Sequence, residues 1–410
     1  DQLVALAPIS VTQAYTLYAT SATPNPTGLT MTPVTARGVQ TLTVSAANPL
    51  LLFHLDISLE WDARQDTQFL AQLQFDIGRA SQFLYDWTNG RAALGEVTIY
   101  QNREHWEDAN VQIYATNRLR PNAAQGGIVT TAISETVGPP AVPRPQIMNY
   151  APGQIRMGAL WNRYGEPSSG AVGEDWARAF AHELGHYLFY LDDNYLGFNG
   201  NQLTIVTACT GSAMTDPYRE DYTEFLFPAE WTSGCAHTLA AQTTGRADWA
   251  TITHFYPALA SATPNPGPNN LALAVTQLHF VDPLTATTPL AAPIFYLTEQ
   301  GAVVEPSENA TGYLYQVDPV TGEPTHVVEL GSPRFDQLLA RGARVGDRLC
   351  LYEGTRLGCE TIAAGDNQLS LSRLPTWQPN ILIEPISTTV IGVRVPLAGT
   401  GLDAAQRQGH

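Results

Sequence analysis

Apolar residues that recur every three or four positions predict two long helices. The first run, within residues 62–89, consists of Phe69, Leu73, Ile77, Ala80, Leu84 and Trp87. The second run, which follows two acidic residues at 174–175, consists of Trp176, Ala179, Phe180, Leu184, Tyr187, Leu188 and Leu191. This spacing gives each helix an apolar face that must pack against the rest of the protein.

Short runs of alternating or continuous apolar residues predict strands between and around these helices. They lie at residues 40–45, 96–100, 110–115 and 154–161. We expect the last of them either to border a cleft or to lie inside a sheet. Residues 120–145 carry a Gly-Gly pair and several prolines, so the sequence predicts a loop there. Between 267 and 400 short strand-like runs alternate with turn residues, which is typical of a β-sandwich.

Composition and charge narrow the class of protein. With 410 residues the chain is too long for one ordinary core, so two or three domains are expected. The composition, 44% hydrophobic and 14% charged, is that of a globular protein. The formal net charge of −17 argues against nucleic acid and anionic membranes as partners. The sequence contains no apolar run of about 18 residues, so it predicts no transmembrane segment.

The four cysteines fall into two local pairs, Cys209 with Cys235 and Cys350 with Cys359. Neither pair has the Cys-x-x-Cys spacing of many zinc sites, and the second pair flanks a hairpin-like stretch. We therefore expect two disulfides, with four buried free thiols as the alternative. Disulfides are typical of extracellular, periplasmic or cell-surface proteins.

The second predicted helix carries the sequence His182-Glu183-Leu184-Gly185-His186. Histidines four residues apart on a helix project from one face, so both imidazoles can reach one tetrahedral Zn²⁺. Glu183 can face a metal-bound water without being a ligand, which suits a general base. The alternative is two ordinary histidines on a core helix.

A catalytic zinc needs a third protein ligand and one open position. One solution is a carboxylate from a helix further along the chain, and the other is a ligand soon after the first helix. Asp192 lies ten residues after His182, at the spacing of the third metzincin histidine, but Phe189 replaces the glycine of that pattern. Asp193 lies one position further on. His105 and His237 are weaker candidates.

Residues 182–195 resemble the HExxHxxxGxxDE signature of the calcium-activated chloride channel regulator metallopeptidases. The stretch at 246–252 is similar to the Arg-Ser-x-Trp-Glu-x-Ile sequence of that family, and the resemblance covers roughly residues 150–256. It implies a secreted or surface-bound zinc peptidase in which Asp193 is the third ligand. Tyr190 stands in place of the family's glycine and Asn194 in place of its final glutamate.

Taken together, the elements and the motif predict an α+β fold with a zincin-like peptidase domain built around the HExxH helix. We expect three parts. They are a β-rich N-terminal segment at 1–60, the peptidase domain at 61–258 and a β-sandwich-like domain at 267–400.

The predicted function is that of a secreted or cell-surface zinc-dependent endopeptidase acting on a protein or peptide substrate. Glu183 is the expected general base, and Tyr195 or Tyr218 the expected hydrogen-bond donor to the oxyanion. Met214 is expected to lie in a turn beneath the metal, as in several zinc peptidases. The alternative is a surface adhesion or binding protein with a vestigial or structural zinc site. A structural zinc would have four protein ligands.

Overall fold

The protein is described by a computed structural model. It describes residues 2–21, 29, 31–34, 37–138, 146–164, 174–219, 224–264, 269, 271, 275–284, 287–373, 382–385 and 391–394. The chain forms two compact units, residues 1–292 and 293–410. Residues 139–145, which belong to the predicted loop, lie outside the described residues.

The first unit contains fourteen strands and four α-helices among the described residues. The strands are β1 (Gln2–Leu3), β2 (Ala7–Val11), β3 (Tyr15–Ser21), β4 (Thr32–Pro33), β5 (Val44–Leu59), β6 (Ala92–Tyr100), β7 (Val111–Tyr114), β8 (Asn122–Ala123), β9 (Ile133–Val137), β10 (Gln146–Tyr150), β11 (Ile155–Gly158), β12 (Leu196–Asn199), β13 (Gln202–Ile205) and β14 (Gln277–Phe280). The helices are α1 (Thr67–Trp87), α2 (Asp175–Phe189), α3 (Leu239–Thr243) and α4 (Asp248–Phe255).

One large sheet forms the frame of this unit. Its hydrogen-bonded order is β14-β6-β5-β7-β11-β8, and β3 joins β5 to β2. Strand β5 runs parallel to β6 and β7, and β11 runs parallel to β7. Because β8 pairs with the other side of β11, β11 lies inside the sheet. Strands β2, β3 and β5 from residues 1–60, together with β14, thus share a sheet with strands of the predicted peptidase domain, whereas β1 and β4 pair with each other.

The two long helices form where the apolar spacing predicts them. Helix α1 begins after Asp66, whose side chain accepts a hydrogen bond from the Phe69 amide and so satisfies a free N–H of the first turn. The apolar residues that predicted α1 are buried, and α1 packs against α2. Helix α2 begins at Asp175, which forms an ion pair of 2.7 Å with Arg163. Both helices therefore carry their apolar faces into one core.

The predicted α+β, zincin-like fold class is wrong. The described residues are β-rich, with 35% in strands against 18% in helices, and most of their strands belong to two large sheets. Helices α3 and α4 have only five and eight residues. Residues 120–145 were predicted to be a loop, but β8 and β9 lie there, and β9 pairs antiparallel with β10. Turn residues mark where a chain reverses, but not whether the flanking residues pair.

The second unit is β-rich, as expected. Its strands are β15 (Ile294–Glu299), β16 (Ala302–Val303), β17 (Thr311–Val317), β18 (Pro324–Gly331), β19 (Gln337–Leu339), β20 (Arg348–Tyr352), β21 (Arg356–Thr361), β22 (Gln368–Arg373), β23 (Leu382–Pro385) and β24 (Ile391–Arg394). The main order is β16-β15-β22-β21-β20-β17-β18. Alternate residues of β17 are buried, as in a sheet with one face on a core.

Both predicted disulfides are confirmed. Cys209 is bonded to Cys235 in the first unit, and Cys350 to Cys359 in the second. The second pair lies directly opposite on β20 and β21, so it links two neighbouring strands. As for the membrane, no helix in the described residues has the length and apolarity to span a bilayer.

Candidate metal centre

Helix α2 presents His182 and His186 from one face on successive turns. Their ring centroids are 4.8 Å apart, and their Nε2 atoms are separated by 3.2 Å. Asp193, four residues after the end of α2, brings its Oδ1 atom to 3.2 Å from His182 Nε2 and 3.1 Å from His186 Nε2. Among the described residues, these three form the one group of His, Cys, Asp or Glu side chains that could hold a metal ion.

The spacing of these three atoms fits a zinc ion. Zn–N and Zn–O bonds of about 2.0–2.1 Å in a tetrahedron put neighbouring ligand atoms roughly 3.3 Å apart. The three observed separations lie close to that value. Two imidazoles and one carboxylate are also a common donor set for this ion. The three side chains can therefore serve as ligands without large movements.

Hydrogen bonds on the far side of each ring fix which nitrogen faces the site. His182 donates from Nδ1 to the Ala213 carbonyl at 2.9 Å, and His186 donates from Nδ1 to the Leu191 carbonyl at 2.7 Å. A carbonyl can only accept, so both protons lie on Nδ1. In neutral rings both Nε2 atoms then carry lone pairs towards Asp193. Backbone carbonyls commonly orient metal-bound histidines in this way.

The charges at the site are strongly coupled. Burial alone would lower the pKa of His186, but the hydrogen bond and charge of Asp193 raise it to about 9. Burial alone would raise the pKa of Asp193, but hydrogen bonds from both histidines hold it well below its usual range. Asp193 is therefore an anion facing two imidazoles, an arrangement that favours a cation or a proton between them.

Glu183 lies beside this group on α2 and is 7% exposed. Burial raises the pKa of its carboxyl group, while the two histidines act in the opposite direction. No hydrogen bond to the Glu183 carboxylate comes from any residue that the structure describes. The carboxylate thus keeps its acceptor capacity for a water, and its raised pKa makes it a better proton acceptor than an exposed glutamate.

Met214 packs against α2 at Gly185, between the two histidines. It is fully buried, and a Cβ atom added at Gly185 would come within 2.7 Å of Met214 Sδ. Glycine at 185, between the two histidines, therefore lets this turn approach the helix closely. The preceding residue, Ala213, supplies the carbonyl that accepts the hydrogen bond from His182. The turn thus packs against α2 beside the two histidines.

Asp192 does not join the group. Its Oδ1 atom accepts a hydrogen bond of 3.0 Å from Gln125 Nε2, which also donates to the Tyr190 carbonyl at 2.8 Å. Burial raises the pKa of Asp192 to about 6. Of the two aspartates that the sequence proposed as third ligand, the structure brings Asp193 to the histidines. The contact from Gln125 was missed because Gln125 lies 67 residues before Asp192, which leaves no local signal in the sequence.

The two candidate tyrosines lie within electrostatic range of Glu183, whose charge helps to raise the pKa of both. Burial is the larger cause in each case, and the Asp193 carboxylate adds to it for Tyr195. The Tyr218 hydroxyl accepts a hydrogen bond of 2.9 Å from Trp161 Nε1. The two weaker histidine candidates, His105 and His237, are exposed and do not join the metal group.

No family model, curated protein or solved structure matches this chain. The resemblance to the chloride channel regulator metallopeptidases therefore stays a prediction. The functional argument depends on the geometry of the site itself.

Proposed function

We propose that the protein is a zinc-dependent endopeptidase that acts outside the reducing cytosol. The observation that carries the proposal is the convergence of His182 Nε2, His186 Nε2 and Asp193 Oδ1 at mutual distances of 3.1–3.2 Å. Three protein ligands leave one position of a tetrahedron open, which is typical of catalytic rather than structural zinc. The two disulfides support an oxidising compartment.

In this proposal each side chain has one task. His182, His186 and Asp193 hold the ion, which when bound supplies Lewis acidity to a water and to the scissile carbonyl. Glu183 accepts the proton of the attacking water and passes it to the leaving amine. Tyr195 or Tyr218 donates a hydrogen bond to the oxyanion, since both hydroxyls stay protonated at neutral pH.

Measurement of bound zinc together with cleavage of a denatured protein tests this proposal. The wild-type protein should bind zinc and cleave, lose activity with a chelator, and regain it when zinc is added. Glu183→Gln should bind zinc normally and lose activity by about 10²- to 10⁴-fold, because only the proton acceptor is removed. Asp193→Asn should lose both zinc and activity, because it removes a charged ligand.

Glu323→Gln is the control, since Glu323 is an exposed residue of the second unit. It should match the wild type in zinc content and turnover. Full activity of Glu183→Gln would remove the general-base role. Zinc binding without any cleavage by the wild type would contradict the peptidase and leave the alternative of a binding protein with a structural zinc.

A further inference from the structure

We call residues 190–194, which contain Asp193, the third-ligand loop. A buried hydrogen-bond network joins this loop to two other segments of the first unit. Its centre is Asp248, the first residue of α4, which is 2% exposed. Asp248 Oδ1 accepts a hydrogen bond of 2.8 Å from Asn194 Nδ2. Asp248 Oδ2 accepts from Ser212 Oγ at 2.8 Å and from the Leu226 amide at 2.9 Å.

The partners of Asp248 are the neighbours of the candidate ligands. Asn194 follows Asp193 directly, and its amide donates to the Met214 carbonyl at 2.9 Å. Ser212 Oγ accepts from the Met214 amide at 3.0 Å and from Asn194 Nδ2 at 3.0 Å. The network therefore ties the segment that carries Asp193 to the turn that lies under the histidines.

We propose that Asp248 is a positioning residue for the metal, which fixes the Asp193 carboxylate relative to the His182–His186 pair. This inference rests on the proposed zinc function and adds a residue to it. The hydrogen bonds of the Asp248 carboxylate go to Asn194, Ser212 and Leu226 and to none of the three candidate ligands. It acts through Asn194 and Ser212, because both are buried and both hydrogen-bond the Asp248 carboxylate.

The Asp193 carboxylate needs support from residues outside α2. Asp193 lies outside α2, so the helix alone fixes the two histidines but not the carboxylate. On one side Gln125 holds Asp192 and the Tyr190 carbonyl. On the other side Asp248 holds Asn194. With both neighbours of Asp193 anchored, the Oδ1 atom keeps its distance of 3.1–3.2 Å to both imidazoles.

The test is the zinc affinity of Asp248→Asn, measured by competition with a chelator at a temperature where all variants are folded. This change keeps the size of the side chain but replaces one carboxylate oxygen, an acceptor, by an NH₂ group, a donor. The NH₂ group then faces either the donor of Asn194 or the donors of Ser212 and Leu226. We expect the zinc dissociation constant to rise by roughly 10- to 100-fold, the usual cost of losing a supporting contact. The ligand-field spectrum of bound Co²⁺ should change as well, because it responds to ligand arrangement.

Asp86→Asn is the matched control. Asp86 is a half-buried carboxylate on α1 that accepts a hydrogen bond from the Asn269 backbone amide, outside the third-ligand loop. Asp86→Asn should leave the zinc affinity and the Co²⁺ spectrum at their wild-type values. Ser212→Ala is the milder second variant, which removes one hydrogen bond to Asp248 and should weaken zinc binding in the same direction.

Three results would overturn the positioning role. The first is a folded Asp248→Asn protein with wild-type zinc affinity and an unchanged Co²⁺ spectrum. The second is a Ser212→Ala protein with wild-type zinc affinity and an unchanged Co²⁺ spectrum. The third is a loss of zinc affinity in Asp86→Asn as large as that in Asp248→Asn. Wild-type protein that takes up no zinc would overturn this inference and the proposed function together. Zinc uptake without peptide cleavage would overturn the peptidase alone, because the affinity comparison needs no turnover.

Discussion

At the scale of single residues, the histidine pair is arranged for a cation. Each imidazole donates a hydrogen bond from Nδ1 to a backbone carbonyl. When both rings are neutral, their two Nε2 lone pairs therefore face each other across 3.2 Å. In a buried site this repulsion is relieved only by a proton or a metal ion between them. Because ligands must be deprotonated, zinc and protons compete for this position, and zinc affinity is expected to rise with pH.

Asp76 on α1 makes a separate prediction about pH. Burial is the main cause that raises its pKa from an ordinary 3.8 to about 6. The folded state therefore holds this proton more tightly than the unfolded state. The carboxyl group costs nothing below pH 4, and its cost in stability grows as the pH rises towards 6 and then stays constant. Asp76→Asn should raise the free energy of unfolding by about 1–3 kcal/mol at pH 8 and change it little at pH 4.

Urea denaturation of the two proteins at pH 4 and pH 8 measures this difference. The amide oxygen at position 76 can still accept the hydrogen bond that Gln72 Nε2 donates at 2.9 Å, so little else changes. Glu107→Gln, at an exposed carboxylate, is the control and should have no such pH dependence. An Asp76→Asn protein that is no more stable than the wild type at pH 8 would contradict the raised pKa.

At the scale of elements, the end of α2 depends on an unusual residue. Tyr190 has a φ of 63°, in the left-handed region that glycine normally fills at a helix C-terminus. Its ring stacks on Phe255 at 3.6 Å and meets Tyr150 at 5.0 Å. The strain of a side chain in this conformation is about 1–2 kcal/mol, so aromatic packing must offset it.

Tyr190→Gly tests which effect is larger. Glycine removes the strain, but the loss of a buried aromatic ring costs about 3–5 kcal/mol. We expect a net loss of about 2 kcal/mol in the free energy of unfolding, measured by chemical denaturation. Tyr190→Phe keeps the ring and should stay close to the wild type. A glycine variant as stable as the wild type would mean that the backbone strain is as large as the packing energy of the ring, which would contradict this prediction.

The elements also indicate how far the sequence could be interpreted. Periodicity predicted α1 and α2 because each buries a face whose residues recur within one segment. The cross-strand bond between Cys350 and Cys359 was predictable for the same reason, since its hairpin is local. Strand β8 was missed because it is two residues long and pairs with β11, more than thirty positions further along. Pairing between distant segments leaves no periodic signal in either of them.

At the scale of the whole molecule, the candidate site was more predictable than the fold. The two histidines lie four positions apart on one helix, so their spacing alone determines that they share a face. The class of fold was misjudged because it depends on which distant strands pair, as in the parallel order of β6, β5, β7 and β11. The role of Asp248 was missed too, since the hydrogen bond from Asn194 spans 54 positions.

All three candidate ligands lie in the first unit, so zinc removal should loosen the chain locally. A ligand present at 1,000 times its dissociation constant stabilises the folded state by about 4 kcal/mol. Hydrogen exchange should therefore speed up on chelation at the end of α2, in residues 190–194 and at the turn containing Ser212 and Met214. Strands β17 and β20 of the second unit contain no ligand and should not respond.

Glu183→Gln, which keeps every ligand, should behave like the wild type, whereas Asp193→Asn should exchange rapidly even with zinc present. Equal acceleration in β17 and β20, or none around α2, would mean that the bound zinc lies somewhere other than at the histidine pair.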